Sequence, residues 1–387
     1  MQRQGSTYFA FPQQAHHNAW LDVLRSLAIF LVLLRHGSGV AQGNPGEGFL
    51  ANLLRNGWVG VDLFFVLSGY LIAAGLIRRS RRQEGSLVAT SYFTDRILRI
   101  VPAYFAVLIL CYLGFFPGFS PSASDPDRSL FAHLLFLQDY TGADINVVFW
   151  SLGVEEKFYL VAPLLVLGLA RPRALSGCAA LAACLLLVSP VCRAVAFEAM
   201  GASVDYGEFF RTLRSPFHMS IEGFVVGIFV AVLHSRGVVF PARHASLGLG
   251  LSALALLAWL GSHEFLLTIT RFDAWVQPTA LAALFGWMVW CAVSLGDRRP
   301  AFEPFFRVNA RLSYALYLVH FPLLPLAAAL AQDQGQGAFW AGYLALSYAA
   351  ALVLHFAIEK AFMQLKPSRS ENGPRPSRFS ETEAVPS

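Results

Sequence analysis

The sequence predicts an all-α polytopic membrane protein with about ten transmembrane helices and both termini in the cytoplasm. Of the 387 residues, 56% are hydrophobic and only 14% are charged, whereas soluble domains usually carry about 25% charged residues. Apolar runs recur from Trp20 to Met363. Arginine and lysine collect in alternate loops between those runs, as expected for a chain that crosses a membrane repeatedly.

This composition excludes a soluble cytosolic enzyme, a disordered chain and a secreted disulfide-stabilised domain. The mean hydropathy is +0.53. The formal net charge is +5, but the basic residues lie mostly in short loops, so we expect no nucleic-acid partner. The five cysteines lie in or beside apolar runs without CxxC spacing, and we expect no metal site. We predict a cytoplasmic segment (1–17), a transmembrane domain (18–363) and a disordered cytoplasmic tail (364–387).

A helix needs about 17–25 mostly apolar residues to cross the hydrocarbon core, because each residue adds about 1.5 Å. The apolar run 131–140 is too short to cross, so we expect it to lie at the interface or re-enter the membrane. Ten longer runs predict the spans: 21–41, 57–77, 98–116, 149–170, 174–197, 213–234, 245–262, 277–295, 309–331 and 339–363.

The distribution of basic residues predicts the orientation. Arg78, Arg79 and Arg81 follow the second predicted span, whereas the segment 117–148 contains Arg128 as its one basic residue apart from His133. Because cytoplasmic loops carry the excess of Arg and Lys, the segments 42–56 and 117–148 are predicted to lie outside. We expect the chain to reside in a bacterial cytoplasmic (inner) membrane.

Two ionisable residues share one face of the first predicted span. Arg25 and His36 are eleven residues apart, which separates them by about 20° around a helix and about 16 Å along it. Arg25 lies toward the cytoplasmic end and His36 toward the outer end. An ionisable group inside a span costs about 2.5–3.5 kcal/mol, so each is a functional candidate. The alternatives are a snorkelling Arg25 and a hydrated His36.

Asp62 lies near the start of the second predicted span, at about the depth of His36. A carboxylate beside an imidazole fixes its tautomer and stabilises the imidazolium. The sequence therefore predicts that Asp62 orients His36. The alternative is a partly solvated Asp62 that caps the start of its helix.

Arg96 and Arg99 lie at the start of the third predicted span. Because they are three residues apart, they project from one helix face at the cytoplasmic edge. A guanidinium pair suits a phosphate or pyrophosphate group arriving from the cytoplasm. The alternative role is topological charge with lipid-headgroup contact.

Glu155 and Tyr159 are four residues apart on one face of the fourth predicted span, and Ser151 lies one turn earlier. The predicted orientation puts this start of the span at the outer side, as for His36. A carboxylate there is suited to partner a general base or to bind acceptor hydroxyls. Alternatively, Glu155 is simply favoured by the helix dipole.

Ser313, Tyr317 and His320 form a polar stripe on the ninth predicted span, because their spacing is i, i+4, i+7. The stripe is either part of a reaction site or a set of hydrogen bonds between helices. Arg214, His218 and Glu222 form a similar i, i+4, i+8 set at the sixth predicted span. That set either lines an acceptor path or makes an ion pair of little consequence.

Taken together, these stretches resemble the acyltransferase 3 family of multi-spanning bacterial O-acyltransferases. The resemblance covers roughly residues 18–363 and is of the type without an appended hydrolase-like domain. It rests on these motifs: LDVLR with Arg25-x10-His36, GVDLFFVLSGYLIA within 57–74, Arg96-x2-Arg99 followed by Pro102, SLxxExxFY at 151–159, and SxxxYxxH at 313–320. The sequence around Arg214 matches only loosely.

The resemblance implies an O-acyltransferase that takes acyl-CoA, by default acetyl-CoA, as a cytoplasmic co-substrate, with no permanently bound cofactor. The acceptor would be a hydroxyl of a cell-surface carbohydrate, a lipid-linked glycan or a related small molecule. The implied catalytic residues are His36, Asp62, Glu155, Tyr317 and His320. The implied donor-binding residues are Arg25, Arg96 and Arg99. The acceptor-side candidates are Ser68, Trp150, Ser151, Tyr159 and Arg214.

Two other functions fit parts of the pattern. A proton-coupled transporter or flippase also needs intramembrane His, Asp and Glu residues, although the sequence has no inverted repeat of the kind common in carriers. A membrane-embedded binding or sensing protein has no specific support. The identity of the acceptor, the acyl chain and the oligomeric state do not follow from the sequence, nor whether His36 acts as a base or as a transient acyl carrier.

Overall fold

A computed structural model describes residues 18–41, 48–81, 86–172, 174–201, 205–263 and 269–365. Across these ranges all regular secondary structure is helical, which confirms the predicted all-α class. The predicted N-terminal segment 1–17 and nearly all of the predicted tail 364–387 lie outside the described residues.

The first half of the chain forms nine helices among the described residues. They are α1 (Ala19–Ala41), α2 (Phe49–Arg55), α3 (Gly60–Ser80), α4 (Ser86–Tyr112), α5 (Pro126–Leu134), α6 (Gln138–Thr141), α7 (Trp150–Ala170), α8 (Leu175–Leu186) and α9 (Val188–Met200). Single 3₁₀ turns precede α3 (Asn56–Val59) and α7 (Val147–Phe149).

The second half adds nine more helices, two π turns and one 3₁₀ turn (Phe217–Met219) within the described part. The helices are α10 (Tyr206–Phe209), α11 (Glu222–Ser235), α12 (Ala242–Ser262), α13 (Arg271–Trp275), α14 (Gln277–Ser294), α15 (Glu303–Val319), α16 (Leu324–Leu330), α17 (Gln336–Leu354) and α18 (Lys360–Gln364). The π turns are Phe210–Arg214 and His355–Glu359.

By length and composition, six helical stretches in the described part are able to cross a membrane. They are Ala19–Val40, Phe49–Ser80, Leu175–Met200, Ala242–Ser262, Gln277–Ser294 and Gln336–Gln364, and α15 with α16 makes a seventh if the bent pair is one span. The protein is therefore a polytopic membrane protein. The other three predicted spans correspond to α4, α7 and α11. The first two each carry three charged residues, and the third has only 14 residues.

The spans differ in how deeply they lie inside the protein. Within an apolar 18-residue segment of each span, 67% of the residues are buried in the span that contains α3, 17% in α8–α9 and 28% in α12. Helix α3 packs against α1, α7, α11 and α14. The span that contains α3 is therefore the most buried of the six, and the more exposed helices are placed to face lipid.

Two glycines let α3 and α11 approach closely. A Cβ atom at Gly69 would lie 2.4 Å from the Phe224 carbonyl oxygen, and one at Gly227 would lie 2.2 Å from the Val66 carbonyl oxygen. Small residues allow such backbone contact between membrane helices. This contact fixes the register of α3, on which several site residues lie.

The ninth predicted span, 309–331, is not one straight helix. Helix α15 ends at Val319, and α16 leaves it at an angle of 87°. Pro322 lies within the break and Pro325 near the start of α16, and proline lacks the backbone N–H that a continuing helix needs. The bend places His320 directly after the last residue of α15.

A buried arginine braces the helices around α11. Arg193 on α9 is 1% exposed and forms an ion pair of 2.6 Å with Glu222, the first residue of α11. Its guanidinium also donates to the carbonyl oxygen of Ala274 at 2.7 Å, which ties α13 to the same point. The prediction that Glu222 belongs to one helical set with Arg214 and His218 was wrong, because the chain between Ser215 and Ile221 interrupts the helix.

We expect Glu222→Ala to lower the free energy of unfolding by about 3–5 kcal/mol, because it leaves Arg193 buried without its partner. Thermal unfolding of the purified protein in detergent measures the effect as a lowered midpoint. Glu198→Ala is the matched control, since the Glu198–Arg271 pair is exposed at both ends. Equal shifts from the two substitutions would contradict a bracing role for Arg193.

Candidate active site

A cavity of about 930 Å³ opens between α1, α3, α4, α7 and α15. Along α3 it extends from Val61 to Arg78, a helical rise of about 25 Å. Six arginines and three carboxylates line it, so its net charge is positive. The arginines are Arg25, Arg78, Arg81, Arg96, Arg99 and Arg311, and the acidic residues are Asp22, Glu155 and Glu359.

At the end of the larger cavity near Tyr317, hydroxyl groups surround one carboxylate. The Ser68 hydroxyl donates to Glu155 Oε1. The Ser151 and Tyr317 hydroxyl oxygens lie 2.6 Å apart, and the Tyr317 hydroxyl also lies 2.8 Å from the Val148 carbonyl oxygen. If Tyr317 donates to the carbonyl, its oxygen accepts from Ser151, so the phenol is held from two sides.

A smaller cavity of about 270 Å³ lies on the other side of Tyr317. Val61 and Tyr317 line both cavities. Aromatic and basic side chains dominate the smaller one: Arg35, His36, Trp58, Trp150, Tyr206, Phe209, Phe210, Arg211 and Arg214. The wall around Tyr317 is therefore the place where molecules held in the two cavities are able to meet.

His36 and His320 form a hydrogen-bonded pair, although they are 284 residues apart. His320 Nδ1 lies 3.0 Å from the Leu316 carbonyl oxygen and 2.9 Å from the Tyr317 carbonyl oxygen, so this nitrogen carries the proton. In the neutral ring, Nε2 of His320 is then an acceptor. His36 Nδ1, at 3.1 Å, is the donor to it.

This series of hydrogen bonds, from His36 through His320 to the backbone carbonyls, assigns the tautomer of His36. With its proton on Nδ1, the neutral His36 ring has its lone pair on Nε2. Because His36 lines the smaller cavity, that lone pair is suited to take a proton from a hydroxyl bound there. His320 thus orients His36, which is the task that the sequence led us to expect of Asp62.

The prediction that Asp62 orients His36 was wrong. Both oxygens of Asp62 accept hydrogen bonds from Arg214, at 2.7 and 2.9 Å. Both side chains are nearly buried, with 8% and 7% exposure. The guanidinium carbon of Arg214 also lies 4.7 Å from the ring centroid of Trp58 and 5.3 Å from that of Trp150. Arg214 lines the smaller cavity, and the bidentate pair with Asp62 holds it there.

The acceptor-side candidates are divided between the two cavities. Trp150 and Arg214 line the smaller cavity, but Ser68, Ser151 and Tyr159 line the larger, arginine-rich one. Glu155, expected beside His36, also lines the larger cavity. The reason is the i, i+4, i+8 spacing on α7. Since Ser151, Glu155 and Tyr159 share one helix face, all three turn toward the same cavity.

Several residues in the larger cavity were not among the predicted site residues. The sequence pattern indicated only a topological role for Arg78 and Arg81, and no motif singled out Arg311. His355 and Glu359 form a pair at 2.6 Å on the second π turn. Both are ionisable groups within the last predicted span, so the rule that selected His36 would also have found them. Among the described residues, no cluster of three potential metal ligands occurs.

A family model described as an acyltransferase domain matches residues 18–357. The chain belongs to the acyltransferase 3 family. Every residue that lines either cavity falls within this match, except Glu359 and Met363 at one side of the larger cavity. No solved structure matches the chain.

Two bacterial relatives carry acetyltransferase names. A Bacillus subtilis protein provisionally named peptidoglycan O-acetyltransferase YrhL is 26% identical over 341 residues, which is 83% of this chain and 50% of the relative. O-acetyltransferase OatA of Staphylococcus aureus is 30% identical over 159 residues, 38% of this chain and 24% of the relative. The family member described here thus spans half or less of the length of these two relatives.

We expect Asp62→Ala to destabilise the protein by about 3–5 kcal/mol, because Arg214 then stays buried without a counter-ion. The double variant Asp62→Ala/Arg214→Ala removes both charges and should be more stable than the sum of the two single losses implies. Thermal unfolding of all four members of the mutant cycle measures this coupling. Strictly additive losses would show that the two side chains do not act as a pair.

Proposed function

We propose that this protein is a membrane O-acyltransferase that moves an acyl group, by default acetyl, from acyl-CoA to a hydroxyl of a carbohydrate or related acceptor. The observation that carries the proposal is the pair of cavities that meet at Tyr317, one rich in arginine and the other containing His36. Family membership and the names of the relatives support the reaction class.

The larger cavity is suited to the donor. The phosphate groups of acyl-CoA match guanidinium groups, which bind phosphate oxygens through paired charge-assisted hydrogen bonds. We assign this role to Arg25, Arg96 and Arg99, with Arg78, Arg81 and Arg311 adding to the positive potential. The length of the cavity along α3 lets the pantetheine arm carry the thioester toward Ser151 and Tyr317.

In the transfer step, Nε2 of His36 takes the proton of the acceptor hydroxyl while the oxygen attacks the thioester carbonyl. The C–S bond then breaks, and the CoA thiolate leaves and takes the proton from His36. Tyr317, at the wall between the cavities, turns its hydroxyl proton from the Val148 carbonyl oxygen to the developing oxyanion and stabilises it. An acyl group carried transiently on His36 would use the same nitrogen.

Glu155 and Asp62 support the reaction indirectly in this proposal. Glu155 accepts a hydrogen bond from the Ser68 hydroxyl and orders the end of the donor cavity near Tyr317. Asp62 holds Arg214 in the wall of the acceptor cavity. His320 maintains the tautomer of His36 through its Nε2 atom.

We further propose ten spans in a bacterial cytoplasmic membrane, with both termini in the cytoplasm. The donor cavity then opens inward at Arg78 and Arg81, and the acceptor cavity lies toward the outside.

Cysteine labelling tests this orientation in a background lacking Cys184 and Cys192, the two cysteines that are not buried. We expect Ser124→Cys to react with an impermeant maleimide in intact cells, and Ser80→Cys to react only after the membrane is permeabilised. Both positions are exposed. The reverse pattern would contradict the proposed orientation.

We expect His36→Ala to lower kcat for acyl transfer by about 10²–10⁴-fold, the usual contribution of a general base, while the protein folds normally. The measurement uses purified protein in liposomes with labelled acetyl-CoA and an extract of host surface glycans. His244→Ala is the matched control, because His244 is exposed and lines neither cavity.

The same assay separates transferase from carrier. Acceptor-dependent release of CoA with label on glycan supports transfer, and its survival at the wild-type rate in His36→Ala would reject His36 as the base. Label crossing the bilayer on intact acetyl-CoA, without thioester cleavage, would favour a transporter.

We expect Arg96→Ala combined with Arg99→Ala to raise mainly the KM for acyl-CoA, whereas His36→Ala lowers mainly kcat. The reason is that the arginines bind the donor away from the reacting atoms. Arg298→Ala is the control, since Arg298 is exposed and lines neither cavity. Equal effects of both variants on both parameters would argue against separate roles.

A further inference from the structure

The smaller cavity has an uneven balance of charge. Three of the residues that line it are arginines, and the described residues that line it include no aspartate or glutamate. Arg214 is already neutralised by Asp62. In the described part of the chain, Arg35 and Arg211 form no ion pair. The cavity therefore offers two guanidinium groups whose charge is not balanced by a carboxylate.

The two arginines line the same cavity as His36 but differ in exposure. Arg35 directly precedes His36 on α1 and is half-buried, whereas Arg211 is exposed. Asp205 lies close to Arg211, but its carboxylate accepts from the Glu208 backbone N–H at 2.8 Å and forms no ion pair with that arginine in the described region.

Aromatic rings form the remaining wall of the cavity. The Trp150 and Phe210 rings lie 5.4 Å apart in an edge-on arrangement, and Tyr206 lies 6.2 Å from Phe210. Trp58 covers Arg214 from another side. Such rings stack on the apolar faces of sugars, but they contribute no selection by charge. Selection by charge is left to Arg35 and Arg211.

We infer that the acceptor carries a negative charge, a carboxylate or a phosphate, close to the hydroxyl that receives the acyl group. Arg35 and Arg211 bind this anion through charge-assisted hydrogen bonds, which turns the hydroxyl toward His36. A neutral glycan leaves the two cations without a partner and is selected against. This inference rests on the proposed function, because it names the class of substrate for the same site.

Two chemical sources supply such an anion. One is an acidic sugar, whose carboxylate belongs to the glycan, and the other is the diphosphate of a lipid-linked glycan. A test therefore uses two matched pairs of probes. The first pair is a glucuronate-containing disaccharide and its carboxyl-reduced counterpart. The second is a polyprenyl-diphosphate-linked disaccharide and the same disaccharide on a neutral polyprenol.

Binding of each probe to the purified protein in non-ionic detergent is measured by quenching of tryptophan fluorescence, because Trp58 and Trp150 line the cavity. We expect at least one charged probe to bind about 10-fold tighter than its neutral partner, the usual scale for a charge-assisted hydrogen bond. The pair that shows the preference identifies the source of the anion.

Arg35→Gln combined with Arg211→Gln should abolish the preference, and Arg211→Lys should retain most of it. Arg128→Gln is the control, since Arg128 is exposed on the side predicted to be outside and lines neither cavity. Equal binding of charged and neutral probes by the wild type overturns the inference. So does a preference that survives the double substitution.

Failure of this inference differs from failure of the proposed function. If acyl groups pass to neutral and charged acceptors with equal kcat/KM and His36→Ala abolishes both reactions, the transferase stands and the anion site does not. If charged probes bind preferentially but no acyl-CoA is cleaved with any acceptor, the anion site stands and the transferase does not.

Discussion

A charged side chain inside a bilayer must be paired or must face a water-filled space, because leaving it in hydrocarbon costs several kcal/mol. The arrangement of this protein follows from that constraint. Arg193 with Glu222, and Arg214 with Asp62, are buried pairs that tie separate helices together. Of the arginines on the spans, Arg25 and Arg99 line the larger cavity and Arg35 lines the smaller one. Charge thus determines both which helices are joined and where the protein is hollow.

The two cavities among the helices around α3 provide two different chemical environments. Under the proposed function, an anionic donor requires several cations, and the larger cavity provides six arginines. A reactive histidine, by contrast, works best where its tautomer is controlled, and His36 has that control through His320. In the proposed reaction, this separation keeps the charge of the arginines in the larger cavity away from His36. Among the described residues, Tyr317 and Val61 are the two that line both cavities, so we expect the reacting groups to meet across a short boundary.

Much of this organisation was predictable from local spacing. The eleven-residue separation of Arg25 and His36 indicated one helix with two functional ends, and α1 is one uninterrupted helix. The i, i+4, i+8 spacing of Ser151, Glu155 and Tyr159 indicated a shared face, and all three residues line the same cavity. Periodicity predicts which residues of one helix act together, because the rise and twist of a helix are constant.

The sequence by itself determined the all-helical membrane class, the family motifs and the polar face of each helix, because these depend on composition and on distances of a few residues. Only the tertiary structure decided which faces meet. Asp62 pairs with a residue 152 positions away, and His36 with one 284 positions away. Such partners depend on how helices pack and bend, above all on the break after Val319. No local spacing encodes that packing, since it is set by the contacts of the whole bundle.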